Sequence, residues 1–160
     1  MLKSSLAGLS ASALLAATFA VGAATPALAN TTTTTHTSTI NDAIPVTCDG
    51  PGFTSYTGSG NSVTHLTVNN AGDSWFTTTT EGTVTLHTLW NGASTSWTGH
   101  VQEWFGSEDN NKNAVQHATF NFNGTSTSDP SKSLTMHAAF TLTVNANGTV
   151  VVNNRTVSCQ

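Results

Sequence analysis

From Phe53 to the C-terminus the chain alternates apolar and polar residues in short runs, and each run ends at a cluster of turn-forming residues. The clearest is "LTMHAAFTLTV", in which Leu134, Met136, Ala138, Phe140, Leu142 and Val144 occupy alternate positions, with His137 and threonines between them. Successive strand side chains point to opposite faces, so this period of two predicts strands with one buried face. No window carries the 3.6-residue period of an amphipathic helix. Thr and Val dominate the runs, and both are β-branched residues suited to a pleated surface.

The runs are "GFTSYTG", "NSVTHLTV", "SWFTTTTEGTVTLHTLW", "TSWTGHVQEWF", "NAVQHATFNF", "KSLTMHAAFTLTV" and "TVVVNNRTVSC". With a short piece around Cys48 they make about eight strands. Turn signals such as "NNAGD", "NGAS" and "NANG" separate them. The connections are short, which predicts a single antiparallel meander. The expected fold is all-β, closed as a barrel or folded as a sandwich, and a disulfide stapling the first and last strands favours the barrel.

Parity assigns the faces. Phe76, Val84, Leu86 and Trp90 share one face of the third run, opposite Trp75, Glu81, His87 and Leu89. Trp97, Val101, Glu103 and Phe105 fall together, opposite His100, Gln102 and Trp104. Ala118, Phe120 and Phe122 oppose Val115 and His117. Four-residue loops at "NGAS" and "NANG" would set Val84 against Val101, Thr88 against Trp97, Leu142 against Val151, Met136 against Val157 and Leu134 against Cys159.

The N-terminus changes the picture from fold to compartment. Lys3, an Ala- and Leu-rich apolar run, and small residues at Ala27 and Ala29 form the order of a secretory signal peptide. Residues 1–29 are therefore expected to be removed, leaving about 130 residues, enough for one domain. The tract "NTTTTTHTST" offers no core side chains, so residues 30–38 are expected as a flexible lead-in to a barrel domain over 39–160. After cleavage no segment is apolar enough to span a membrane as a helix. The expected location is extracellular. Cys48 and Cys159, the two cysteines of the chain, then read as a disulfide joining the first and last strands.

Charge narrows the function. Only 8% of residues are charged and the formal net charge is −4, with no basic patch, which argues against nucleic-acid binding. No cofactor motif, GxSxG or HExxH occurs, and five histidines (His65, His87, His100, His117, His137) fall on the less apolar face of five different strands without metal-ligand spacing. They are expected to be solvated and free of metal. Asn-Gly-Thr sequons stand at Asn123 and Asn147.

The stretch "GHVQEWFGSEDNNKN" concentrates Glu103, Glu108, Asp109 and Lys112. Glu108, Asp109 and Lys112 are expected in a solvated loop. Glu103 has inward parity, and so does Arg155, so a buried carboxylate could pair with Arg155 across the lumen. Alternatively both could grip a polar ligand between Trp90 and Trp97, or a bulge could turn Glu103 outward. Trp90, Trp97, Phe105, Glu103 and Arg155 are thus the candidate ligand-binding residues.

The stretches "GNSVTHLTVNNAGDSWFTTTTEGTVTL", "GHVQEWFG" and "LTMHAAFTLTVNANGTVV" resemble a group of small secreted proteins common in actinomycetes. The resemblance covers most of the chain after residue 29 and carries over no catalytic or binding residue. By architecture alone the expected barrel is similar to lipocalins, avidins, dirigent proteins and allene oxide cyclases. Three functions compete: a binder of a small, partly apolar ligand at the barrel mouth, a dirigent- or cyclase-like enzyme using Glu103 and Arg155, and a surface or matrix protein without a ligand. The sequence names no ligand, activity or oligomeric state.

Overall fold

The computed structural model describes residues 30–110 and 112–160, so the expected signal peptide lies outside the described residues. These residues form seven strands: β1 (Asn30–Thr47), β2 (Gly50–Val68), β3 (Ser74–Trp90), β4 (Ala93–Asp109), β5 (Asn113–Ser126), β6 (Ser133–Asn145) and β7 (Val150–Cys159). They pair antiparallel in chain order in one sheet, an uninterrupted meander without a helix among the described residues.

Two expectations change at the N-terminal end. "GFTSYTG" and "NSVTHLTV" are not two strands but the two halves of β2, and the Thr-rich segment expected as a lead-in is the first half of β1. The reason is the same for both. Once β2 runs straight through Gly60, its residues 62–68 offer a second edge, and Asn30–Thr35 pair with it from Val68 to Val63. A polar strand needs no core when its β-branched threonines lie against a neighbouring strand, as in the hydroxyl contact of Thr31 with Thr67 at 3.0 Å.

Seven strands rather than eight also alter the closure. In an odd meander the first and last strands run in the same direction, so closing the ring would require a parallel pair, which is slightly less stable per residue. No β1–β7 ladder forms, and the sheet is open. Its two edges meet at one point, the Cys48–Cys159 disulfide, with Cα atoms 5.6 Å apart.

The sheet is nevertheless sharply curled, and glycines on its inner face allow this. Gly60 lies opposite Gly82, and Gly99 opposite Gly124. A Cβ on Gly60 would stand 2.1 Å from the Glu81 carbonyl oxygen, and one on Gly99 would stand 2.1 Å from that of Asn123. Neighbouring backbones come so close along this crease that no larger residue fits, as expected where a sheet bends.

The hairpin registers differ from the four-residue-loop expectation by two residues. Asn91 (φ 55°) and Gly92 (φ 74°) form the two-residue turn that Asn-Gly favours. This turn sets Leu86 against Trp97 and Gly82 against Val101. Across β6 and β7, Met136 meets Cys159, Ala138 meets Val157 and Leu142 meets Asn153, with a bulge at Thr143/Val144. A shift of two preserves parity, so the assigned faces stand although the partners change.

One apolar cluster fills the concave face near the disulfide, and Tyr56, Leu86, Val101, Phe120, Phe122, Leu134 and Met136 are all but fully buried there. Two buried threonines organise that end. The Thr54 hydroxyl donates to the Val46 carbonyl at 2.7 Å and contacts the Thr88 hydroxyl at 2.7 Å, and Thr88 accepts the Cys48 N–H at 3.4 Å. The Asp49 carboxylate accepts the N–H groups of Asn91 and Gly92, each at 2.8 Å, fastening the β1–β2 turn to the β3–β4 turn.

Candidate ligand-binding face

The strands are long, and the apolar cluster occupies only the disulfide half of the concave face. Phe140 packs against the edge of the cluster, and beyond it the same face continues through Thr78, Phe76, Phe105 and Leu142, all half-buried, to Leu66 at 41% exposure. Glu103 stands at the boundary. It is half-buried on β4, between Thr80 of β3 and Phe120 of β5.

Glu103 is held by Tyr56, whose hydroxyl donates to Oε2 at 3.0 Å. Tyr56 is fully buried, and its ring packs against Phe120 with centroids 5.0 Å apart. Burial raises the Glu103 carboxyl above the ordinary carboxylate value; the Tyr56 hydrogen bond opposes this, and the negative charge of Asp42 adds to it. Burial, and then the charge of Glu103, push the Tyr56 phenol far up. Asp42 lies exposed on β1, opposite Tyr56. The arrangement is a carboxyl that readily takes up a proton, standing at the floor of a half-open apolar trough.

The five candidate residues do not converge. Glu103 and Phe105 share this region, where the Phe105 ring meets Phe76 edge-on at 6.0 Å. Trp97 is instead 4% exposed in the core, six residues and roughly 20 Å back along β4. Its ring packs on Trp90 at 5.2 Å, and its Nε1 donates to the Thr95 hydroxyl at 2.9 Å. No ligand can lie between these two indoles. Arg155 has the inward parity expected of it but is exposed, and its Nε donates to Asn153 at 3.3 Å. It does not pair with Glu103, because β7 is an edge strand and has no further strand to cover its side chains. Among the described residues the ion pair is that of Lys132 with Asp129 at 3.6 Å.

Tyr56 and Asp42 are the residues that sequence reasoning missed. Reading "GFTSYTG" and "NSVTHLTV" as one strand would have placed Tyr56 on the inner face, in step with Thr54 and Ser62.

Of the remaining charges, Lys112 lies exposed in the turn as expected, and two are placed differently. Glu108 and Asp109 belong to β4, opposite Trp75 and Ser74, rather than to a loop. The turn begins at Asn110, whose side-chain oxygen accepts the N–H groups of Lys112 and Asn113, each at 2.9 Å. An open cleft of about 330 Å³ lies between this turn and the β6–β7 turn, lined by Asp109, Asn110, Asn113 and Asn145. The five histidines are exposed on the convex face. Four of them contact a polar group across a strand pair, such as His87 with Ser96 at 2.7 Å and His137 with Asn121 at 2.7 Å. No three His, Cys, Asp or Glu side chains among the described residues come together as a metal site.

No family model matches the chain, no curated protein matches its sequence and no solved structure matches its fold.

Proposed function

We propose that the protein is exported through a signal peptide over residues 1–29 and holds a small, partly apolar molecule on the open half of its concave face. Glu103 is the polar anchor, and Phe76, Phe105 and Phe140 form the apolar walls. One observation carries the reading: the same face is fully packed in one half and leaves its aromatics half-exposed in the other, with a desolvated carboxyl where the halves meet. Recognition sites commonly combine apolar walls with a few placed polar groups. The disulfide is consistent with an oxidising compartment.

A cyclase- or dirigent-like reaction is disfavoured, because Arg155 points its hydrogen bond at Asn153 and leaves Glu103 without a cation to hold an anionic intermediate. Titration with the neutral fluorescent probe N-phenyl-1-naphthylamine tests the binding reading. Saturable enhancement that Phe105→Ser and Phe76→Ser abolish is the expected result. Native mass spectrometry of protein from its own host should then show a bound small molecule. Absence of saturable probe binding would leave the surface-protein reading in its place.

A further inference from the structure

The convex face is mostly Thr, Ser, Asn and His; Phe53 and Leu89 are exposed on it near the disulfide end, and two tryptophans stand on neighbouring strands near the other end. Trp75 on β3 and Trp104 on β4 are each 38% exposed. Neither belongs to the apolar cluster, and neither lines the concave trough. Large exposed aromatics that stand together on a polar surface mark recognition sites more often than isolated ones do.

The placement of Trp104 is built rather than incidental. Gly106 follows it by two residues on the same face, and a Cβ there would stand 2.5 Å from Cη2, 2.8 Å from Cζ2 and 3.3 Å from Cζ3 of the indole. The six-membered ring therefore lies over the Gly106 backbone and buries it, while its other side remains open. Any residue larger than glycine would lift the ring from the sheet. Trp75 faces Glu108, the next residue of this face along β4 after Gly106. Counting residues and strands, the ring over Gly106 comes within roughly 8 Å of the Trp75 position. Thr77 and His117 flank Gly106, and Thr79 and Thr119 flank Trp104, so hydroxyl and imidazole groups border the aromatic surface.

We propose that Trp75 and Trp104 form a stacking platform for a glycan chain, independent of the concave trough. A flat indole presents a π-face to the axial C–H groups of a pyranose ring, and the bordering hydroxyls, imidazole and Glu108 carboxylate suit sugar hydroxyls as donors and acceptors. Charge selects among glycans. The chain carries a formal charge of −4, and Glu108 and Asp109 stand beside the platform, so polyanionic chains are repelled and neutral or N-acetylated ones accepted.

The test uses the full secreted chain. Depletion from solution by insoluble cellulose and by chitin measures retention, and tryptophan fluorescence titrated with the corresponding soluble hexasaccharides measures affinity. Retention on at least one polysaccharide is expected, and the one retained names the glycan. Trp75→Ala and Trp104→Ala should each weaken binding at least about tenfold. Gly106→Ala keeps both indoles but displaces one, and should weaken binding while Trp104→Phe retains part of it. Circular dichroism and the disulfide mass confirm folding of each variant, and Gly106→Ala and Trp104→Phe carry the test should an alanine variant fail to fold. Absence of retention on both polysaccharides overturns the proposal, as does unchanged binding in the tryptophan and glycine variants.

Discussion

The two halves of the concave face are made of the same strands and separated by one row of residues, yet they are held differently. In the disulfide half, Phe120, Phe122, Leu134 and Met136 are buried to 1% exposure or less, beneath a crease of glycines and a network of buried threonine hydroxyls. In the open half, Phe76, Phe105 and Leu142 have the same parity and chemistry but remain half-exposed. Residue type does not distinguish them. What differs is whether the opposite side of the curled sheet comes close enough to cover them, and it does so only where the disulfide draws β1 and β7 together.

The sharpest way to break this contrast is to cut the bond. Cys48→Ala with Cys159→Ala should lower stability by about 4–5 kcal/mol, since the bridge closes a loop with a sequence separation of 111. Denaturant melts read the loss. The packed half should loosen towards the state of the open half, visible as new amide exchange at Val101, Phe122 and Met136. A loss below about 1 kcal/mol would mean that the curl is held by the sheet alone.

Truncating one aromatic in each half sharpens the same comparison. Phe122→Ala should cost about 3–5 kcal/mol through a cavity in the core. Phe105→Ala should cost about 1 kcal/mol, because its site is already open to water. Equal losses in thermal or denaturant melts would erase the division. The boundary itself is tested by Tyr56→Phe, which removes the donor to Glu103 and should cost about 1–3 kcal/mol at neutral pH. That cost should largely disappear in a Glu103→Gln background, where no carboxylate is left without its partner.

The smallest expected effect is the pH dependence at this boundary. The Glu103 carboxyl is raised in the folded protein, so the folded state binds its proton more tightly than the unfolded chain does. The resulting stability is fully present below the ordinary carboxylate value of 4.5 and is lost as pH rises through the folded value. Glu103→Gln should remove this component, so the mutant gains on the wild type as pH increases from about 4 to about 8. A wild type that instead gains on the mutant over this range would place the carboxylate in a site that favours its charge.

Much of this architecture was legible in the chain, and the part that was not has a common cause. Side chains alternate with a period of two along a strand, so the spacing of Leu134, Met136, Ala138 and Phe140 determined the inner face whatever the register. Errors of two residues at both hairpins left every face intact. The Cys48–Cys159 bond followed from cysteine count and the expected compartment, and the meander from turn chemistry. Strand count was a different matter. Whether Gly58 and Gly60 end a strand or crease one depends on how closely the next backbone approaches, which no local pattern encodes. That choice fixed seven strands in place of eight, and seven strands leave β1 and β7 running the same way with no ladder between them. Burial followed from the same tertiary arrangement. Glu103 and Arg155 both have inward parity, but Glu103 has neighbours on both sides and finds Tyr56, whereas Arg155 sits on an edge strand and meets solvent. Parity is a property of the backbone of one strand, and burial is a property of what the other strands place above it.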